Sequence, residues 1–131
     1  MVTDKRIKGD SAEALACRWL ESKGYCLIEA NYIRKVGEID LIMKAPENGP
    51  VVFVEVRFRT SNRFGGALAS VNYRKRQKLI KTASAWLQAN ADSRAAARID
   101  IIAIEPAASG THGADVWQGH QIQWVVNAIE A

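Results

Sequence analysis

The sequence predicts an α/β fold, a mixed sheet flanked by helices, and two observations carry that expectation. The hydrophobic period changes along the chain in the order helix, three strands, helix, strand, strand. The second and third strands are joined by a turn too short for a crossover, so at least this pair is antiparallel. At 131 residues the chain is shorter than the ~150 typical of one domain, and residues 1–131 are expected to form one unit.

Each element has its own signal. Asp10, followed three residues later by Glu13, opens the run SAEALACRWLESK, in which Ala12, Leu15, Ala16, Trp19 and Leu20 recur at helical spacing until Gly24. YCLIEANYI is apolar enough for a strand, and RKVG turns the chain into GEIDLIMK, where Ile39, Leu41 and Met43 alternate with Glu38, Asp40 and Ile42. The turn cluster APENGP leads into VVFVEVRFR, with Val52, Val54, Val56 and Phe58 on one face and Phe53, Glu55, Arg57 and Arg59 on the other. TSNRFGG reads as a loop; Gly37, Gly65 and Gly66 read as turn residues. A second helix is expected from about Leu68 to about Ala89, with Leu79, Ile80, Ala83, Trp86 and Leu87 inward and Arg74, Lys78 and Lys81 outward. RIDIIAI is a short strand, EPAASGTHGADVWQGH a loop, and QIQWVVNAI a last strand.

With 48% hydrophobic and 24% charged residues, the composition excludes disorder, collagen and coiled coil as descriptions of the whole chain. No apolar run approaches the ~18 residues a membrane span needs, and the charged start is unlike a signal peptide, so a cytoplasmic protein without membrane contact is expected. Cys17 and Cys26 are too few for a disulfide scaffold and lie in no zinc-like motif; both are expected to be reduced and in or near the core.

Net charge is +4, but its distribution says more. Between Val56 and Ala91 stand eight basic residues, Arg57, Arg59, Arg63, Arg74, Lys75, Arg76, Lys78 and Lys81, and no acidic one. Such a block suits a phosphate-contacting surface, since each phosphate neutralised releases counterions. It equally suits a solvated helix face.

A hairpin register symmetric about APENGP pairs residues whose numbers sum to about 95 and sets Asp40 opposite Glu55. Like charges facing each other across a sheet cost stability. A divalent cation, Mg²⁺ or Mn²⁺, offsets that repulsion with hard oxygen ligands. Arg57 shares the face, and Glu13 stands at the border of the first helix's apolar side. Acids, a base and a metal make a phosphodiester-cleaving site. The plainer alternatives are a capping box for Glu13, an exposed face for Glu38 and Asp40, and a structural salt bridge between Glu55 and Arg57. His112, Asp115 and His120 share a loop but have no recognisable ligand spacing. Trp86 and Trp124 fit the core, Trp117 is open to either reading, and Tyr73 and Gln77 can be plain surface.

Taken together, the first helix with Glu13, the GEIDLI segment with Asp40, FVEVRFR with Glu55 and Arg57, the FGG loop, the basic helix VNYRKRQKL and the RIDIIAI strand resemble the YraN-like family. That family is placed in the restriction-endonuclease-like PD-(D/E)xK superfamily, similar to archaeal Holliday-junction resolvases. The resemblance runs from about Lys8 to about Ile129. It implies an endonuclease-like αβββαβ core, Asp40, Glu55 and the Val56 carbonyl as metal ligands, Glu13 as an outer acid, and Lys75 or Gln77 assisting. Arg57 stands where the superfamily has its Lys, and arginine is permanently charged and shaped to fork onto phosphate.

Three readings of function follow. The first is a Mg²⁺- or Mn²⁺-dependent endonuclease hydrolysing DNA phosphodiester bonds of branched or repair intermediates. The second is a non-catalytic nucleic-acid-binding protein of nuclease fold, contacting the backbone through Arg59, Arg63, Arg74, Lys75, Lys78 and Lys81. The third is an interaction module for an acidic protein partner. Resolvase-like enzymes cut as dimers, which makes a homodimer part of the first reading.

Overall fold

A computed structural model describes residues 11–58, 71–90, 96–107 and 116–129. Its elements are α1 (Ala12–Glu21), β1 (Cys26–Arg34), β2 (Gly37–Lys44), β3 (Val51–Phe58), α2 (Tyr73–Asn90), β4 (Ala97–Pro106), β5 (Val116–Trp117) and β6 (His120–Ile129). The strands form one six-stranded sheet in the order β1-β2-β3-β4-β6-β5. β3 and β4 run parallel, with α2 between them in sequence, and every other neighbouring pair is antiparallel. The expected mixed α/β architecture is therefore the observed one.

Several details differ from expectation. Ser11 caps α1, its side chain accepting from the Ala14 N–H at 3.1 Å. α2 starts at Tyr73 because Asn72 caps it, Oδ1 accepting from the Lys75 N–H at 2.9 Å and the carbonyl from the Arg76 N–H. The helix therefore begins later than the apolar period suggests. The segment before the last strand, expected to be all loop, contains β5, which pairs with His120 and Gln121. Cys17 is buried, but Cys26, at the start of edge strand β1, is exposed.

Each face of the sheet has its own core. On one, Leu41, Met43, Val52, Val54, Ile102, Ile104 and Ile122 pack against Ala14, Leu15, Cys17, Trp19 and Leu20 of α1. On the other, Ile42, Phe53, Ile99 and Ile101 pack against Leu79, Ala83 and Trp86 of α2. Both faces of β3 are thus covered, which explains why VVFVEV is apolar almost throughout.

β2 and β3 pair in the expected register from Lys44↔Val51 to Leu41↔Val54. There the ladder stops, and the Asp40 carboxylate accepts the Val56 N–H at 2.8 Å instead. Alternation also breaks here: Ile39, expected beside Leu41 and Met43, packs on the α2 side with Ile42. β1 changes face in step, with Ala30 on the α1 side and Tyr32 on the α2 side. Between them Asn31 has φ 53°, a left-handed conformation that asparagine tolerates better than most residues. The matched kink at Asn31 and Asp40 turns the Asp40 side chain toward β3.

A second polar feature locks the far half of the sheet. Asp100 is fully buried. It accepts from Arg98 Nε (3.1 Å), Trp124 Nε1 (2.9 Å) and the Asn127 N–H (2.8 Å), while Arg98 also donates to the Tyr25 hydroxyl at 2.8 Å. The carboxylate is fully engaged and fastens β4 to β6 where their register shifts.

α2 lies very close to the β1–β2 turn. At Gly37, φ is 152°, and a Cβ would meet Thr82 Oγ1 at 2.9 Å and Lys78 Cβ at 3.3 Å. Gly119, by contrast, has φ 78° and open space around it. Gly37→Ala should lower the unfolding free energy by about 1–3 kcal/mol through overpacking. Gly119→Ala should cost about 1–2 kcal/mol, from backbone conformation alone. Urea denaturation measures both, and only the Gly37 variant should shift α2, read as a change in Trp86 fluorescence of the native state.

Candidate metal and phosphate site

The site forms where β2 and β3 separate. Asp40 reaches out of β2, Glu55 rises from β3 on the α2 side, and the two carboxyl groups share a hydrogen bond. Glu55 is only 3% exposed. Burial is the main reason the Asp40 carboxyl is pushed up to about 8. The negative charge of Glu55, its hydrogen bond and, more weakly, the charge of Glu13 act the same way, while the Val56 N–H pulls in the opposite direction. The Asp40 carboxyl is therefore held in its protonated form well above the usual carboxylate range.

Two cations converge on Glu55. Arg57 Nη2 lies 2.8 Å and Lys75 Nζ 3.2 Å from the same oxygen, Oε2. Arg57 comes from β3 itself, two residues on and so on the same face. Lys75 comes from the first turn of α2, which Asn72 and the close packing at Gly37 fix in place. Arg57 Nε is buried and has no acceptor among the described residues. The guanidinium thus grips Glu55 through Nη2 while its buried Nε–H is left without a protein acceptor.

The expected residues fare differently. Asp40, Glu55, Val56 and Arg57 come together, and Lys75 joins them through its ion pair. Glu13, half-buried in the first turn of α1, is near enough for its charge to act on Asp40; the cap of α1 is Ser11, while Asp10 lies outside the described residues. The salt-bridge reading of Glu55 and Arg57 is also realised, so Glu55 is both a member of the acidic pair and an ion-pair partner. Gln77 is half-buried on α2. Arg74, Arg76, Lys78 and Lys81 are exposed along that helix, and Tyr73 is 75% exposed beside them. Arg59, Arg63, the FGG segment, His112 and Asp115 lie outside the described residues. Sequence reasoning missed Asn31, whose left-handed backbone has no signature beyond the residue type, and the Asp100 network, hinted at only by Arg98 and Asp100 sharing a face in RIDIIAI.

The fit to a divalent ion can be judged from the donors. Among the described residues no group of three or more His, Cys, Asp and Glu forms a metal cage. Two hard carboxylates do not make a zinc or calcium site, but they suit Mg²⁺, which keeps several waters and completes its shell with substrate phosphate oxygens. Asp40 and Glu55 are the residues that would hold such an ion, and binding it would require the Asp40 carboxyl to give up its proton.

Comparison with known proteins agrees on family. The sequence profile described as "Uncharacterised protein family UPF0102" matches residues 12–104, a span that holds Glu13, Asp40, Glu55, Arg57 and Lys75. The chain belongs to the UPF0102 family. A UPF0102 protein of Methylococcus capsulatus is 40% identical over 125 residues, covering 95% of this chain and 92% of its own length. One from Stutzerimonas stutzeri is 40% identical over 131 residues, covering 99% and 100%. The UPF0102 protein YraN of Salmonella agona is 42% identical over 123 residues, covering 92% and 82%. This UPF0102 chain is thus similar to those relatives over nearly its whole length.

The raised Asp40 carboxyl sets a pH dependence. Its proton is bound more tightly in the folded chain than in the unfolded one. The resulting stability is fully present below the unfolded value near 3.8 and is lost as pH rises through about 8. In EDTA, wild-type stability should fall relative to Asp40→Asn between about pH 4 and about pH 8 and level off above that. Urea midpoints across that range test this, and a constant difference would contradict it.

Proposed function

We propose that this protein is a divalent-metal-dependent phosphodiesterase acting on DNA, with Asp40 and Glu55 as metal ligands and Arg57 and Lys75 as phosphate-binding cations. The observation that carries the reading is the convergence of four groups at the end of the β2–β3 ladder. The Asp40 and Glu55 carboxyl groups lie against each other there, and Arg57 and Lys75 both sit on Glu55. A structural ion pair needs neither the second acid nor the second cation.

The family resemblance supports this assignment, since a restriction-endonuclease-like core implies ligands at Asp40, Glu55 and the Val56 carbonyl. When bound, the ion would polarise the phosphate and lower the pKa of an attacking water. The chain's own residues do the rest. Asp40, tied to Val56, and Glu55, tied to Lys75 and Arg57, hold the oxygen ligands in place. A phosphate drawing Lys75 and Arg57 away from Glu55 would free that carboxylate for the ion, so substrate and metal binding favour each other. The exposed Arg74, Arg76, Lys78 and Lys81 extend the phosphate track along α2.

Arg57 in place of lysine favours a second reading, a nucleic-acid-binding protein that does not cut. Arginine neutralises Glu55 permanently and cannot act as a base at neutral pH. Incubating branched, single-stranded and duplex DNA with Mg²⁺ or Mn²⁺ separates the two. The phosphodiesterase reading expects strand cleavage that Asp40→Asn abolishes and that Lys75→Ala slows about a hundredfold. Binding persisting in both variants, without product from the wild type under either ion, would favour the second reading. Under both readings, changing Arg74, Lys78 and Lys81 together to Ala should reduce the log–log salt slope of DNA binding by about three.

A further inference from the structure

The basic block read from the sequence begins at Arg57, yet folding adds two earlier cations to it, Arg34 and Lys35. β1 and β2 are joined by the tight turn Lys35-Val36, between the paired residues Arg34 and Gly37. Opposed residues of an antiparallel pair project to the same face. Gly37 faces α2, since a Cβ there would meet Thr82 Oγ1 at 2.9 Å and Lys78 Cβ at 3.3 Å. Arg34 accordingly lies on the α2 side, its guanidinium 4.1 Å from the centre of the Tyr32 ring. The turn thus stands directly against the helix that carries Lys75.

Successive helical residues advance about 100°, which sets Arg74, Lys78 and Lys81 within about 60° of one another. Lys78 brings that flank of α2 against the turn. Lys78 is also one helical turn beyond Lys75, which reaches Glu55 at 3.2 Å, so the flank is continuous with the candidate site. Arg34, Lys35, Arg74, Lys78 and Lys81 are all exposed, and none forms an ion pair with a described residue. Of the acids on β1 and β2 near the turn, Glu29 accepts from Trp86 Nε1 at 3.1 Å, and Glu38 stands opposite Ile33 on the other face of the hairpin. Five cations from two elements packed without room for a Cβ between them form one rigid, positively charged surface.

We infer that the β1–β2 turn and the flank of α2 with Arg74, Lys78 and Lys81 bind the backbone of a DNA duplex beside the phosphate held at the candidate site. The composition of the surface selects the form of the DNA. Proteins that hold single strands supply aromatic side chains on which bases stack. Among the described residues this flank offers none: Tyr32 is 3% exposed beneath Arg34, Trp86 is buried, and Tyr73 points about 140° round the helix from Lys78. Cations alone contact phosphates and leave the bases unread, which suits a duplex, whose bases are stacked inside. This assignment rests on the phosphodiesterase reading and names the form of its substrate, a continuous duplex or a duplex arm of a branched molecule.

The test is fluorescence anisotropy in EDTA, with a labelled blunt duplex and a labelled oligothymidylate of equal length. Changing Arg34 and Lys35 together to Ala should weaken duplex binding about tenfold, lower its log–log salt slope by about two and leave single-strand binding within about twofold. Lys23 and Lys44 stand at the end of the β1–β2 pair away from the turn, and changing both to Ala removes the same charge there. That control should leave duplex binding within about twofold. Thermal unfolding midpoints should match the wild type for both double variants, since the turn residues are exposed. Equal losses from the two double variants, equal losses for the two DNAs, or no loss at the turn would overturn the duplex surface while leaving the phosphodiesterase reading standing. If the wild-type protein bound neither DNA, that reading would fail and the surface with it.

Discussion

The hydrogen bond from the Val56 N–H to the Asp40 carboxylate organises everything around the site. A β-ladder normally spends that N–H on a neighbouring carbonyl. Here a side chain takes it, so β2 and β3 diverge just beyond Leu41 and Val54, and the acid is held against a sheet that buries it. Once Asp40 is placed there, Glu55 is its unavoidable neighbour. The repulsion between them is relieved by a proton on one side and by two cations on the other. Buried charge survives only with such partners, because unpaired it would cost several kcal/mol.

The rest of the fold keeps these partners in register. α2 covers the face from which Glu55 and Arg57 rise, and its depth is set where Thr82 and Lys78 meet Gly37 without a Cβ between them. That contact brings the first turn of α2, and so Lys75, to Glu55. α1 covers the other face through Leu15, Trp19 and Leu20 and presents Glu13 at its start. The Asp100 network stiffens β4 and β6 away from the site, so the parallel β3–β4 pair has a rigid neighbour on its outer side.

Much of this could be read from the residues. The periods of SAEALACRWLESK, GEIDLIMK and VVFVEVRFR gave the elements their type and order, and the symmetric turn APENGP placed Asp40 near Glu55. What alternation could not show was its own failure at Asp40. Ile39 looks like Leu41 and Met43 in sequence, yet a kink shared with Asn31 carries it to the other face. The start of α2 was obscured because Leu68 continues the helical period, while the decisive cap, Asn72, is one polar residue among several. The eight basic residues between Arg57 and Lys81 were plain in the sequence, but only folding shows that Lys75 turns inward to Glu55 while Arg74, Arg76, Lys78 and Lys81 face solvent.

Under the proposed function, Asp40 and Glu55 form one site in which a metal ion replaces a proton. Calorimetric titration of Mn²⁺ at pH near 7, in two buffers of different ionisation enthalpy, measures this directly. The wild-type protein should bind with release of about one proton, and Asp40→Asn should lose that release and bind much more weakly. Binding that leaves the proton count at zero, or that Asp40→Asn does not alter, would contradict it.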